Sequence, residues 1–291
     1  MTEVRRNGKP PGRGRRVRQL REDLLTYGLL TLGSLVLLPP IAWAVLTSFK
    51  LDQNIIVYPP QWIPVPATIE HYAALFKTTA PRLLLNTIIV GLGTILVAVV
   101  LAFPAAYAAS RFSFRGREPL MLALLAVSMI PGIAILVPLY VAALRLGVIN
   151  TYPLLIVVYS AWAVPQVIWF MRGFIENIPS EMEEAALIDG CSRSQVLWHI
   201  TVPLVRPGIA AIAIFVFLLV WNDYLVGISL TTTEEMRLVQ VGLVALTQTG
   251  FGATWGLFMA YAVVAFAPVL ILFLGLQRWF ISGLTSGGLK G

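Results

Sequence analysis

The chain has 291 residues, of which 58% are hydrophobic and only 12% are charged, and its mean hydropathy is +0.81. These values exclude an ordinary soluble domain and predict an integral membrane protein. The net charge of +7 does not indicate nucleic-acid binding, because the basic residues concentrate in a tail and in loops between apolar segments. The single cysteine, Cys191, cannot form a disulfide within the chain.

Residues 1–23 form a polar segment that carries eight basic residues, with glycine and proline between them. The apolar run that follows is too long for the core of a signal peptide and lacks a small-residue cleavage site, so we expect no cleaved signal. We expect this segment to be a basic cytoplasmic tail that orients the chain in the membrane. Binding of the tail to anionic lipid is the alternative.

Six apolar segments follow the tail, each near the ~20 residues that a helix needs to cross a bilayer. They are predicted at residues 24–47, 83–108, 119–144, 152–171, 208–230 and 255–280. Prolines fall inside several of them, which membrane helices tolerate because neighbouring helices and water satisfy the freed backbone groups. The sequence therefore predicts an all-α polytopic membrane protein with six transmembrane helices, in which residues 24–291 form the membrane domain.

The basic residues predict the orientation of these spans. If the N-terminus is inside, sixteen lysines and arginines fall in cytoplasmic segments and five fall outside. Cytoplasmic loops of membrane proteins carry such an excess of basic residues. We therefore expect a multi-pass protein of the cell membrane with both termini in the cytoplasm, and with the loop of residues 172–207 on the same side.

The loop of residues 172–207 has the pattern of two short capped helices. Two pairs of residues have the spacing of a capping box: Ser180 with Glu183, and Ser192 with Gln195. Gly190 falls where a left-handed residue would end the first helix, and Pro203 is expected to end the second. Because long apolar segments flank this loop, it should form a compact two-helix knob outside the bilayer, suited to docking.

The residues of this loop resemble the signature of the permease subunits of type I ATP-binding-cassette (ABC) importers. That signature is Glu-Ala-Ala, three residues, Gly, nine residues, Ile, one residue and Leu-Pro. The matching residues are Glu184, Ala185, Ala186, Gly190, Ile200 and Pro203, with Val202 in place of the leucine. The spacing of the whole pattern between two spans carries the resemblance, since Glu-Ala-Ala alone is common in helices. An ordinary pair of amphipathic connecting helices is the alternative interpretation.

Other segments are similar to the carbohydrate branch of this family, and within it to the smaller maltose-type permease subunit. These segments are Asn86-Thr87 at the start of the second span, residues 111–117 after it, and residues 277–291. The residue before Trp255 is often aspartate in such subunits and is Thr254 here. The resemblance covers nearly the whole chain from Leu24 onward.

The resemblance implies a subunit that translocates a sugar or oligosaccharide and is not itself an enzyme. It further implies a second, homologous permease subunit, a cytoplasmic ATPase dimer that binds the ATP, and an external solute-binding protein. This chain would then need no cofactor of its own. A permease of the same type for a non-sugar solute is the alternative.

The resemblance also implies where these partners make contact. The residues implied at the ATPase in the coupling loop are Glu184, Ala185, Ala186, Asp189 and Gly190. Those implied in the tail are Ser286, Gly287, Gly288, Leu289 and Lys290. An outer loop would reach the binding protein through Gln248, Thr249, Gly250, Phe251 and Gly252. Folding of Phe251 onto the membrane interface is the alternative for that loop.

Two other classes of membrane protein fit the composition. An intramembrane enzyme needs nucleophiles, paired carboxylates or metal ligands within its spans, but His71 and His199 fall in loops on opposite sides. We therefore expect neither catalytic residues nor a metal site. An ion-driven transporter would be expected to place carboxylates near the bilayer midplane. Asp223 is the only clear candidate; with Asn222 it lies either on the translocation route or at an interfacial helix end.

Overall fold

The computed structural model describes residues 13–248 and 255–288, and side chains over 23–246 and 255–279. Within these ranges the regular structure is helical, and the only β-type pairing is an isolated bridge between Lys50 and Ala67. The helices are α1 (Arg13–Ser48), α2 (Glu70–Leu75), α3 (Ala80–Arg111), α4 (Arg117–Ser128), α5 (Gly132–Arg145), α6 (Tyr152–Glu176), α7 (Ser180–Ile188), α8 (Arg193–Val196), α9 (Val202–Leu204), α10 (Arg206–Asn222), α11 (Leu225–Leu230), α12 (Val239–Gln248) and α13 (Trp255–Gly288). The predicted all-α polytopic fold is confirmed.

Four single helices in the described part of the chain are long and apolar enough to cross a membrane. They are α1, α3, α6 and α13, and they contain the first, second, fourth and sixth predicted spans. α1 begins at Arg13 and therefore extends into the basic segment of residues 1–23. The count rises to six if each of two bent helix pairs is one span.

The first bent pair occupies the third predicted span, residues 119–144. Instead of one straight helix, α4 and α5 meet at an angle of 84°. Pro131 is the N-cap residue of α5. Proline has no N–H to continue the hydrogen-bond ladder and disfavours helical geometry in the residue before it. The helix therefore ends just before Pro131 and restarts in a new direction.

The fifth predicted span, residues 208–230, is also broken. α10 ends at Asn222, Asp223 is extended, and α11 begins at Leu225. At its other end, α10 makes an angle of 71° with the helical segment Arg193–Leu204. The apolar pattern located this segment correctly, but a continuous helix across it was the wrong expectation, because Asp223 caps a separate short helix.

α3 and α6 form the centre of the bundle. Ala98, Ala102 and Ala106 recur at four-residue spacing on α3 and are fully buried. Their core includes Val167 and Met171 of α6. Small side chains let membrane helices approach closely. Dispersion contacts between the helices then stabilise the packing, because burial from lipid provides no hydrophobic driving force. In contrast, no residue in the most apolar stretch of α1 is buried.

The two ends of α3 mark the two ends of the bundle. At the start of α3, Asn86 donates hydrogen bonds to the carbonyl oxygens of Glu235 and Arg237 at 2.8 and 3.0 Å. At the end of α3, Arg111 donates to the carbonyl oxygens of Ile175 and Ile178 at 3.1 and 2.9 Å. The polar loops thus gather at these two ends, which we name the Asn86 end and the Arg111 end.

Candidate functional site

The segment of residues 180–204 forms the predicted knob, at the Arg111 end of the bundle. Its first helix, α7, stops at Gly190, whose φ of +88° is left-handed. The N–H of Gly190 bonds to the carbonyl of Leu187, and the N–H of Cys191 bonds to the carbonyl of Ala186. These two bonds form a Schellman motif, which satisfies the last carbonyls of α7 and reverses the chain. The predicted glycine cap is confirmed.

The second helix of the knob begins with the predicted capping box. Ser192 Oγ accepts from the N–H of Gln195 at 3.3 Å, and the Gln195 side chain accepts from the N–H of Ser192 at 2.7 Å. α8 itself is short, but the helical segment that begins with it continues to Leu204, past Pro203, which corrects the prediction. A π-type turn over Leu197–Thr201 follows α8, and Pro203 lies in the first turn of α9. Proline is tolerated there because the N–H at that position needs no helical partner.

The first predicted capping box is not formed. The N-cap residue of α7 is Pro179, with no side-chain cap, and Ser180 is the first residue of the helix. Glu183 points into the protein, and its side chain is only 8% exposed. Its Oε2 accepts from the Tyr107 hydroxyl at 3.1 Å, and its Oε1 accepts from the Thr201 hydroxyl at 3.0 Å.

Arg111 completes the environment of Glu183. Its Nη2 lies 3.2 Å from Glu183 Oε1, and the arginine side chain is 14% exposed. Since Arg111 also donates to the carbonyl oxygens of Ile175 and Ile178, one guanidinium joins α3, the end of α6 and α7. A buried carboxylate is tolerated when it is paired and hydrogen-bonded, as here. The knob is therefore fixed to the spans through polar contacts.

A second feature lies where the two helix breaks meet. Asp223, at the break before α11, and Gly132, just after the break between α4 and α5, both line a cavity of about 340 Å³. Trp162 and Gln166 of α6 line the same cavity. Irregular backbone at membrane depth is tolerated where it is buried in protein or lines a water-filled space. The two breaks and this cavity are consistent with one polar site within the bundle.

The two residues predicted for a translocation route differ in their positions. Asp223 Oδ2 accepts from the Tyr159 hydroxyl at 2.9 Å and from the backbone N–H groups of Val226 and Gly227 at 2.9 and 3.3 Å. Asp223 thus caps α11 and also reaches the cavity. Asn222 is exposed, bonds to the carbonyl of Leu218 at 2.9 Å, and is not among the residues that line the cavity.

The chain matches a known protein family over most of this structure. Residues 95–286, which include the knob and the cavity, match the family described as the binding-protein-dependent transport system inner membrane component. The chain belongs to this family. It is a transport permease, and the likeness of its loop to the permease signature is confirmed.

Curated relatives match this permease along nearly their whole length. The trehalose/maltose transport system permease protein of Thermococcus litoralis is 32% identical over 94% of this chain and 100% of the relative. The trehalose transport system permease protein of Mycobacterium tuberculosis is 35% identical over 87% and 92%. The sulfoquinovosyl glycerol transport system permease protein of Agrobacterium fabrum is 33% identical over 87% and 88%.

A solved structure shares the fold of the permease. It is a chain of a bacterial ABC transporter involved in the import of the acidic polysaccharide alginate, with a TM-score of 0.76. The two chains are 22% identical over 94% of the permease and 100% of the other chain. At 22% identity, the similarity between the two chains shows a shared fold and nothing more.

The permease presents most of its predicted coupling residues to solvent. Glu184, Ala185, Asp189 and Gly190 are exposed, whereas Ala186 is buried on the inner face of α7. The sequence did not distinguish the inward Ala186 from its outward neighbours. It also missed the exposed apolar side chains of the knob, which are Met182, Ile188, Trp198 and Leu204 at 46%, 85%, 62% and 44% exposure.

Two further predicted contact segments lie largely outside the described residues. In the outer loop that is predicted to contact the binding protein, residues 248–252, the structure describes only the backbone of Gln248, the last residue of α12. Thr249, Gly250, Phe251 and Gly252 lie outside, so their contact with a binding protein stays a prediction. Ser286, Gly287 and Gly288 continue α13 as backbone, and Leu289 and Lys290 lie outside.

Sequence reasoning missed the buried pair of Glu183 and Arg111. One signal was available: Glu183 and Ala186 are three residues apart and therefore share a face of α7. A further signal is that Arg111 ends a long apolar helix, where a charged side chain must find a partner or reach water. Neither signal identifies the partner, because the two residues lie 72 positions apart in the sequence.

Proposed function

We propose that this permease imports a sugar or an oligosaccharide as one of two homologous membrane subunits of an ABC importer. A separate ATPase dimer would hydrolyse the ATP, and a solute-binding protein would deliver the sugar. The names of the relatives support the substrate class, since they refer to trehalose, maltose and sulfoquinovosyl glycerol. A binding-protein partner is supported by a second structural neighbour, an alginate transporter in complex with a pentasaccharide-bound periplasmic protein, with a TM-score of 0.63.

The observation that carries the proposal is the construction of the knob. It exposes three carboxylates and four large apolar side chains on one compact element, while Glu183 anchors the opposite face to α3. An exposed apolar surface with charged residues beside it is typical of a protein docking surface. We infer that this surface receives the ATPase.

We further infer that the knob faces the cytoplasm. Arg111, Arg117 and Arg172 lie at the same end as the knob, and Arg117 and Arg172 both pair with Glu118 at 3.0 and 3.2 Å. Basic residues concentrate on the cytoplasmic side of membrane proteins. The Asn86 end would then face outward and meet the binding protein.

The buried contacts supply a route from the knob to the spans. When the ATPase dimer closes on ATP, the knob would move as a rigid unit, since its turn and second cap are fully hydrogen-bonded. Arg111 joins the knob to the end of α6, and Trp162 and Gln166 of α6 line the cavity. The bundle would alternate between inward-facing and outward-facing packings. ATP drives this change only if it binds one packing more tightly.

The complete transporter, purified in mild detergent, tests the proposal. Mass spectrometry of the co-purifying subunits should identify a second permease and an ATPase. A binding protein loaded with trehalose, maltose or maltotriose should stimulate ATP hydrolysis severalfold. Purification of the chain without either partner would contradict its role in an ABC importer. Stimulation by a non-sugar solute alone would contradict the substrate class and leave the transport mechanism intact.

A further inference from the structure

The cavity at the two helix breaks has the side chains of a carbohydrate site. Trp162 supplies a large apolar ring, while Gln166, Asp223 and Ser128 supply polar groups around it. Small-molecule sites combine an apolar or aromatic wall with a few placed polar groups, in volumes of roughly 300–1,000 Å³. The cavity of about 340 Å³ lies within that range.

Gln166 has no structural explanation within the bundle. It lies near the middle of α6, and it makes no hydrogen bond to any described residue. A polar side chain at this depth in a membrane helix is costly unless it is satisfied, and such residues mark transport pathways. A ligand with hydroxyl groups, or water that precedes it, would satisfy both the carbonyl and the amino group of this side chain.

Trp162 and Asp223 are held in place before any ligand arrives. Tyr159 is fully buried; its hydroxyl donates to Asp223 Oδ2, and its ring meets the ring of Trp162 edge-on at 6.5 Å. Gly132 makes room for the indole, because a Cβ at that position would lie 3.0 Å from the Trp162 ring. Asp223 Oδ1 makes no hydrogen bond to a described residue. The wall is therefore preorganised, with one carboxylate oxygen available.

We propose that this cavity is a sugar subsite that this subunit itself contributes to the translocation pathway. The apolar face of a sugar ring stacks on Trp162, and hydroxyl groups of the same sugar bond to Gln166 and to Asp223 Oδ1. The inference rests on the proposed function, because it assumes that the transported solute is a sugar. The carboxylate favours neutral sugars, since an acidic sugar would meet a like charge at Asp223.

Two substitutions in the complete reconstituted transporter test the subsite. The probe is whichever of trehalose, maltose and maltotriose the wild type takes up fastest, together with its monodeoxy analogues. Trp162→Ala should lower uptake at least about tenfold through the loss of ring stacking. Gln166→Leu should lower uptake by a similar factor and bring the ratio of parent to deoxy uptake towards one. A site that bonds a hydroxyl rejects analogues lacking it, and the leucine variant cannot.

Two controls separate a subsite from damage to the structure. Both variants should still retain the ATPase in a pull-down, because neither residue lies in the knob. Val157→Ala, on the exposed surface of α6 away from the cavity, should leave uptake and the deoxy ratio unchanged. If Trp162→Ala does not assemble into the transporter, the result for Gln166→Leu decides between the outcomes. Leucine is similar in size to glutamine and is favourable in a membrane helix, so this variant should assemble.

The outcomes distinguish this inference from the proposed function. If the wild type takes up none of the sugars, the proposed substrate class is wrong, and the sugar subsite is then wrong as well. If the wild type transports sugar while Gln166→Leu keeps wild-type uptake and deoxy discrimination, the subsite alone is overturned. Faster uptake in Gln166→Leu would also overturn it and would indicate a cavity filled by lipid chains.

Discussion

The adjacent residues Glu183 and Glu184 on α7 have opposite environments. Glu183 is buried against Arg111, Tyr107 and Thr201, whereas Glu184 is exposed. Successive residues of a helix point about 100° apart, so one glutamate can anchor the helix while the next faces a partner. The two carboxylates therefore contribute to different properties: Glu183 to the stability of the knob, and Glu184 to docking.

Glu184→Lys should abolish transport without affecting insertion into the membrane. The substitution replaces an attractive charge with a repulsive one at the proposed ATPase surface, where a like-charge contact costs several kcal/mol. Retention of the ATPase in a pull-down, together with sugar uptake in vesicles, measures the effect. Glu181→Lys is a matched control on the same exposed helix, outside the predicted contact set. Wild-type uptake in Glu184→Lys would contradict the docking role.

Glu183→Ala should instead destabilise the protein itself. Removing one partner of a buried ion pair leaves the other charge uncompensated, which costs roughly 3 kcal/mol. Glu183→Gln should cost less, because its amide oxygen still accepts from Tyr107 or Thr201. Thermal unfolding of the detergent-solubilised protein reports the difference. The double variant with Arg111→Ala should lose less stability than the two single variants together, since it leaves no unpaired charge. Strict additivity would show that the pair is not coupled.

At the scale of elements, the knob depends on the turn between α7 and α8. Gly190 adopts a φ of +88°, and no neighbouring atom lies within 4 Å of the Cβ that a substitution would add. A side chain therefore fits sterically, and only the backbone conformation resists it. The Schellman bonds fix the angle between the two short helices, and this angle determines how the knob faces its partner.

Gly190→Val should insert normally and lose most transport. A β-branched residue in the left-handed region costs about 1–2 kcal/mol, so the turn would relax and reorient α7 against α8. Gly190→Asn is the matched control, because asparagine tolerates left-handed geometry and should retain most uptake. Equal uptake by the two variants would show that the conformation of this turn does not affect coupling.

At the scale of the whole molecule, the Arg111 end and the Asn86 end differ in charge and in architecture. The Arg111 end carries the knob and the arginines near it, and the Asn86 end carries α2 and α12. The bent pair of α4 and α5 exposes apolar side chains, such as Met129 at 78% and Ile133 at 63%. This surface is compatible with lipid and with the second permease subunit that we propose.

Cysteine labelling tests the orientation of the molecule. In a Cys191→Ser background, Ser113→Cys should resist an impermeant thiol reagent in intact cells, whereas Thr232→Cys should react. Ser113 follows α3 at the Arg111 end, and Thr232 is exposed at the Asn86 end, where it bonds to Asn150. Permeabilised cells provide the control, since both variants should then react. Labelling of Ser113→Cys alone in intact cells would invert the topology.

The sequence by itself determined the features that depend on local pattern. The span positions follow from apolar length, and the turn at Gly190 and the cap at Ser192 follow from residues within five positions of one another. The loop signature led to the correct family for the same reason, because its spacing is local. Each of these features is set by backbone conformation or hydropathy over a few turns of helix.

Only the tertiary structure decided the features that join distant segments. Ser180 and Glu183 have the local spacing of a cap, yet Glu183 turns inward because a buried arginine 72 positions earlier offers a stronger, charge-assisted partner. Asp223, at the second helix break, likewise bonds to Tyr159, which lies 64 positions away. The cavity exists only where the two breaks and α6 meet. Such contacts arise from packing among helices, and a linear pattern contains no record of which helices become neighbours.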